Sequence, residues 1–267
     1  MKINNKVFVV TGAGSGMGRE LTIQLVRKGA KVAMADIHEQ ALKETEELAG
    51  KGNVSIHVLN IADRTSVESF PDAVIRHHGV VDGLINNAGI IQPFVDISDI
   101  DYDAIERVFN VNFYGTLYMT KAFLPILLDR PEAHIANVSS MGGFIPFPGQ
   151  AIYSASKAAV KIFTEGLYSE LMNTNVGVTV IHPGAINTNI MVNSDVKMES
   201  TVNASDESTA YKALPADKAA SIMISAIEKN KFRVLVGSDA RMLDIIYRLS
   251  PRRAVDMIVK KMGDMVR

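Results

Sequence analysis

The sequence predicts an α/β fold: a doubly wound, parallel sheet of seven strands with helices on both faces. Three observations predict it. Short runs rich in Val and Ile alternate with longer amphipathic segments along the chain. Those runs are apolar at most positions, as strands buried on both faces must be. The first run ends in a cluster of glycines that opens directly into a helical pattern.

The strand candidates are residues 6–11, 31–36, 54–60, 81–86, 134–139, 177–182 and 233–236. Between them the apolar period becomes helical at 18–28, 39–50, 66–78, 152–174 and 216–229, with two helices back to back across 99–128. Strand–helix alternation demands right-handed crossovers and places helices on both faces. Residues 189–212 are polar and irregular, the pattern of a lid or binding loop. A helical tail starts near Asp239. The expected organisation is one domain over residues 1–238, loop included, with 239–267 as its C-terminal helical extension.

A chain of 267 residues is long enough for one large core. Its 28 Lys and Arg balance 29 Asp and Glu, which argues against a nucleic-acid partner. There is no cysteine, so disulfides, thiolate catalysis and Cys-ligated metals are excluded. Residues 7–10 are too short for a signal sequence, and no segment reaches the ~20 apolar residues of a membrane span. A cytoplasmic protein is expected. The six histidines show no ligand spacing beyond adjacent His77 and His78, read as solvated partners of a helix C-terminus. No metal is expected.

The glycine cluster reads Thr11-Gly12-Ala13-Gly14-Ser15-Gly16-Met17-Gly18. A strand–glycine turn–helix aims backbone N–H groups and a helix N-terminus at a pyrophosphate. The strict G-x-G-x-x-G register fails; T-G-x-x-x-G-x-G fits, through Gly12, Gly16 and Gly18. The second strand ends at Asp36, where a carboxylate accepts from ribose hydroxyls and repels a 2′-phosphate. No Arg or Lys stands at 15, 37 or 38 to hold such a phosphate, so NAD is the expected cofactor.

Tyr153 and Lys157 stand four apart in a helical segment, and therefore on one face. A free phenol ionises near pH ~10. A cation fixed beside it favours the phenolate and makes a general base of it.

With these features in order, the chain resembles the short-chain dehydrogenase/reductase family over about residues 5–238. The shared motifs are the glycine turn, Asn86-Asn87-Ala88-Gly89, Asn112, Ser140, Tyr153-x-x-x-Lys157 and Pro183-Gly184. The resemblance implies a Rossmann fold and hydride transfer between a nicotinamide and an alcohol or carbonyl. It assigns Asn112, Ser140, Tyr153 and Lys157 to catalysis. Asn112 would interrupt its helix and expose a carbonyl that holds a water near Lys157. Cofactor contacts are implied for Gly12, Ser15, Gly16, Met17, Gly18, Asp36, Ile37, Asn60, Ile61, Asn87, Ala88, Gly89, Tyr153, Lys157, Pro183, Gly184, Ile186 and Thr188. Asn60 departs from the carboxylate common at that place in the family.

Substrate contacts are implied for Ser140, Phe144, Tyr153, Ile190 and Met191, with Ile145, Phe147, Val192 and Met198 in the same segments. This apolar set points to an apolar secondary alcohol or a hydroxysteroid-like substrate. The rival reading is a non-catalytic dinucleotide sensor or scaffold on the same fold. It predicts loss of the Ser, Tyr or Lys, and all are present. The family implies a homotetramer. In the tail, Val255, Ile258, Val259, Met262, Met265 and Val266 repeat at helical spacing beside Arg252, Arg253, Lys260 and Lys261. Such a basic amphipathic helix packs within the oligomer, covers a substrate mouth or lies on an anionic membrane. Packing is the expectation.

Overall fold

A computed structural model of the chain describes residues 1–194, 196 and 213–262. The strands are β1 (Val7–Thr11), β2 (Lys31–Asp36), β3 (Val54–Val58), β4 (Gly83–Asn86), β5 (Ala133–Val138), β6 (Val176–Pro183), the short β7 (Ile186–Asn187) and β8 (Leu214–Pro215), and β9 (Arg233–Val236). The helices are α1 (Gly16–Arg27), α2 (Glu39–Ala49), α3 (Arg64–His78), α4 (Tyr102–Phe109), α5 (Thr116–Leu128), α6 (Ala151–Leu171), α7 (Ile190–Asn193), α8 (Ala216–Glu228), α9 (Ser238–Leu249) and α10 (Pro251–Met262). Seven strands form one parallel sheet in the order β3-β2-β1-β4-β5-β6-β9.

The sheet buries both faces, and β1 shows how. Phe8 and Val10 join Leu21, Leu25, Met223 and Ile227 of α1 and α8 in one apolar layer. Val9, between them, points the other way to a layer holding Phe70, Phe123 and Leu167 of α3, α5 and α6. Each such side chain, fully buried, contributes roughly 1.5–3 kcal/mol of transfer free energy.

The helix ends follow local chemistry. Asp63 caps α3 by accepting from the Thr65 N–H at 3.0 Å and the Ser66 hydroxyl at 2.6 Å. Gly79 ends α3 with φ 79°, a left-handed turn that suits glycine. The last turn of α3 corrects one expectation. His77 is exposed, but His78 is half-buried, with Nε2 2.8 Å from the Ser55 hydroxyl. Burial drives its pKa down to about 4, so desolvation outweighs the helix dipole and the ring is neutral.

Between α4 and α5 the helix continues through a π-helical stretch, Asn110–Gly115. The loop after β6 is partly regular: β7 pairs with β8, and α7 lies between them in the chain. Residues 195 and 197–212, including Met198, lie outside the described residues, as do Met265 and Val266. Leu243, Ala254 and Ile258 of α9 and α10 pack on Ile145, beside Met141, Phe144 and Phe147. The tail's inner face is thus covered by this chain itself. Among the described residues no helix is long and apolar enough to cross a membrane.

At the N-terminal edge of the sheet, Asp82 is 1% exposed and ties three segments together. Its carboxylate accepts from the Val7 N–H at 2.9 Å and from Arg130 at 2.9 and 3.0 Å. Its backbone pairs with Val7 and His134. Arg130 and Lys6 are partly exposed and can turn to water, but the buried Val7 N–H would be left without its acceptor. Asp82→Ala is therefore expected to cost about 1–3 kcal/mol, measured as a lower urea midpoint at unchanged slope. The glycine turn, at the opposite edge, should be undisturbed; a wild-type midpoint would contradict this account of the edge.

Candidate active site

The groove begins where β1 stops. Gly12 and Gly16 have φ of 66° and 51°, left-handed values that a side chain resists. Gly18 packs so closely on the Gly12 carbonyl and the Asn87 side chain that a Cβ has no room there. The Thr11 hydroxyl accepts from the N–H groups of Asn87 and Ala88, each at 3.0 Å. This locks the Asn87-Ala88-Gly89 turn against the glycine turn. Asp36, at the end of β2, accepts from the Gly14 N–H and the His38 N–H, both at 3.0 Å. It organises the turn from one side. A carboxylate has about four lone-pair sites, so acceptor capacity remains for hydroxyls.

These elements border a groove of about 540 Å³. Gly12, Ser15, Gly16, Met17, Asp36, Ile37, Asn60, Ile61, Asn87, Ala88, Gly89 and Thr188 all line it, as does Ile190. Asn60 caps its own turn, its Oδ1 accepting from the Ala62 N–H at 3.0 Å. Gly18 supports the groove from behind. Asp103, Glu106, Arg107 and Asn110 line it too and were not anticipated. Their spacing of three, four and seven along one helix face was the available signal. Across the groove, Thr188 lies against Gly16, where a Cβ would approach to 3.2 Å. The fit to a dinucleotide is good: a cradle of glycines accepts phosphate, and the buried Asn87 Oδ1 has no partner in the protein.

Pro183, Gly184 and Ile186, expected as cofactor contacts, do not line this groove, and neither do Tyr153 and Lys157. Gly184 donates its N–H to the Val236 carbonyl at 2.8 Å, and Asp239 of α9 accepts from the Ala185 N–H at 2.6 Å.

The catalytic candidates gather around the ends of β5 and α6. Ser140 follows β5; its hydroxyl accepts from the Gly142 N–H at 3.0 Å and sits beside the Tyr153 ring, both meeting the space at Gly142. Ser139 is turned away and donates to the Lys157 carbonyl at 2.7 Å. Lys157 is 4% exposed and its ammonium donates to the Val138 carbonyl at 3.0 Å. Burial lowers its pKa to about 8. Burial likewise raises the Tyr153 phenol, against the opposing effect of the Ser140 hydroxyl. The proximity of the lysine alone thus does not make the phenolate the resting form. Desolvation of both groups wins.

Asn112 sits in the π-helical stretch, fully buried. Its backbone carbonyl accepts from the Thr116 hydroxyl at 2.8 Å, so the side chain is the more informative part. That amide bonds Ile90 twice at 2.9 Å, as acceptor from its N–H and as donor to its carbonyl. It also donates to Ser156 on α6 at 2.9 Å. On the substrate side, Phe144 is half-buried and meets the His182 ring edge-on at 5.4 Å. His182 Nδ1 lies 2.9 Å from the Ser140 carbonyl. Met191 is half-buried, Ile145 is fully buried core, and Val192 is 76% exposed.

Residues 6–199 match the family described as short chain dehydrogenase. The sequence is 37% identical over 255 residues to SadH of Mycobacterium tuberculosis, covering 91% of this chain and 90% of that one. Its fold is similar to a short-chain dehydrogenase/reductase from Burkholderia phymatum in complex with NAD, with TM-score 0.82, 29% identity and coverage of 93% and 96%. It is similar, too, to a short-chain dehydrogenase from Burkholderia cenocepacia in complex with NADP, with TM-score 0.80, 27% identity and coverage of 97% and 99%. The two bound cofactors differ. From glycine turn to lysine, the chain belongs to the short-chain dehydrogenase family of oxidoreductases.

Proposed function

We propose that this protein is an NAD-dependent dehydrogenase of apolar secondary alcohols, acting in reverse on the corresponding ketones. The observation that carries the reading is the Ser140–Tyr153 hydroxyl pair, with Lys157 one helical turn on and a glycine-cradled groove alongside. Gly12, Gly16 and the α1 N-terminus would hold the pyrophosphate, and Asp36 the adenosine ribose. The bound dinucleotide supplies the hydride acceptor. Ser140 holds the substrate oxygen by hydrogen bond, and Tyr153 Oη removes its proton. Lys157 supplies positive charge that lowers the cost of the phenolate. Gly89 makes room for that lysine, since a Cβ there would lie 2.9 Å from Nζ. The proposed assembly is a homotetramer using the face where Tyr102, Tyr114 and Ile162 are exposed.

The direct test is a panel of secondary alcohols and sterols followed by NADH absorbance. Tyr153→Phe keeps the ring and removes the proton acceptor. Turnover is expected to drop by about 10²–10⁴-fold, the usual contribution of general-base catalysis, while NAD binding survives. A Tyr153→Phe enzyme as fast as wild type, with chemistry rate-limiting, would end the assignment.

The pH dependence follows from the coupled pair. Burial raises Tyr153 and holds Lys157 at about 8, so the pair releases its first proton near there. The productive form, phenolate with ammonium, contains the same number of protons as the neutral pair. Alcohol oxidation should therefore climb with pH below about 8 and level off above it. Ketone reduction needs the extra proton and should fall over the same range. Oxidation that slows as pH rises from 6 to 8 would contradict the pair.

Coenzyme choice rests on Asp36, whose carboxylate leaves a 2′-phosphate unpaired. NAD should be favoured by at least about tenfold, on the scale of one unmatched charge. Asp36→Ala combined with Ile37→Arg should move the preference toward NADP by providing a guanidinium fork for phosphate. Equal wild-type efficiency with both coenzymes would refute this part.

A further inference from the structure

The helix that carries Tyr153 and Lys157 has no cap of its own. Gln150 stands at its N-cap position, and that side chain makes no bond to the first turn. Tyr153 is the third residue of α6, where backbone N–H groups find no acceptor within the helix. An uncapped first turn frays, and here the fraying turn would hold the phenol.

Gln92 supplies the missing acceptor from elsewhere. It lies beyond Gly89 in the connection between β4 and α4 and is 1% exposed. Its Oε1 accepts from the Tyr153 N–H at 2.9 Å, while its Nε2 donates to the Gly149 carbonyl at 3.0 Å. Gln150 returns the contact: its Nε2 donates to the Gln92 carbonyl at 2.9 Å and to the Gly149 carbonyl at 3.1 Å. The two glutamines form a reciprocal box like a helix capping box, but built across two segments of chain. The two residues before Gln92 are tied equally firmly. Ile90 is bonded on both sides by Asn112. The Ile91 N–H donates to the Ser194 hydroxyl at 3.0 Å, just past α7 in the loop over the groove. The short strap 90–92 thus meets Asn112, the loop and the Tyr153 helix in consecutive residues.

We propose that Gln92 is a positioning residue: it caps the Tyr153 helix in trans and fixes the phenol against Ser140. The inference rests on the dehydrogenase reading for its catalytic consequence, though the cap itself does not. Misplacing a reacting group by about 1 Å costs up to 10²-fold in rate.

The test uses the full chain with two variants. Gln92→Met keeps the length and loses both polar ends; Gln92→Glu keeps an acceptor for the Tyr153 N–H and loses the donor. Three readouts are taken: amide hydrogen exchange at Tyr153 and in β5, NAD affinity, and turnover against pH. For Gln92→Met the expected result is at least about tenfold faster exchange at Tyr153, with β5 amides and NAD affinity unchanged. Turnover should fall by about 10–10²-fold, with little change in substrate KM. Gln92→Glu should restore Tyr153 protection and most turnover. Its acidic limb should shift to higher pH, because a carboxylate bonded to the Tyr153 backbone adds negative charge beside that residue and disfavours the phenolate. Wild-type exchange at Tyr153 in Gln92→Met would overturn the cap. Faster exchange with wild-type turnover would overturn the positioning role, and so would equal loosening of the β5 amides. A wild-type protein inert toward every alcohol would sink the dehydrogenase reading alone, since amide exchange still decides the cap.

Discussion

A lysine ammonium held almost wholly out of water shapes more of this structure than any other group. Burying an unpaired charge costs many times a hydrogen bond, so its surroundings must supply acceptors and space. The Val138 carbonyl, at the C-terminal end of β5, accepts one of its protons. Gly89 contributes the space, since any side chain there would reach both Nζ and the Asn112 amide. Asn112 in turn needs the π-helical stretch to face inward between α4 and α5. Even so the protein leaves Lys157 poorly enough solvated to pull its pKa to about 8. A lysine in that state sits close to neutrality and is sensitive to whatever charge arrives next to it.

The same economy of groups appears at Asp36. Both carboxylate oxygens already accept backbone N–H groups, one from the glycine turn and one from the start of α2. Backbone dipoles thus stabilise the negative charge before any ligand arrives. The residue proposed to recognise a ribose is also the one that sets the glycine turn. Replacing it changes the cradle as well as the selectivity, because the Gly14 and His38 N–H groups both lose their acceptor.

Much of the fold was legible in the sequence. The seven strands and the helices between them fall where apolar period and glycine turns put them, because buried parallel strands leave a nearly continuous apolar signature. The groove-lining residues near the glycine turn were legible for the same reason, each adjoining a strand end. What was not legible depends on partners distant in the chain. His78 looks like a solvated helix-end cation until Ser55 of β3 is beside it. Gln92 and Gln150 look like ordinary polar loop residues, 58 apart, until the fold closes their box. The phenol and amine shifts follow desolvation, and spacing in a helix carries no information about that.

The C-terminal helices make the last step in this chain of dependence. Asp239 at the start of α9 accepts from the Ala185 N–H, directly after the Pro183-Gly184 turn. One helical turn and a residue later, Asp244 grips Arg233 of β9 through two bonds of 2.7 and 3.0 Å. That guanidinium stands 5.5 Å over the Phe144 ring, which also meets His182 edge-on, and His182 touches the Ser140 carbonyl. Leu243 and Ile258 close the segment from outside by packing on Ile145. The segment from Ser140 to Phe147 therefore has the sheet on one side and the extension on the other. Glycines at 142 and 143 give that segment little stiffness of its own, and both are buried against it: a Cβ at 142 would press on Tyr153, and one at 143 on Ser139 and the Lys157 backbone. Its shape must come from its neighbours. The extension is accordingly part of the frame that holds Ser140, just as the strap 90–92 is part of the frame that holds Tyr153.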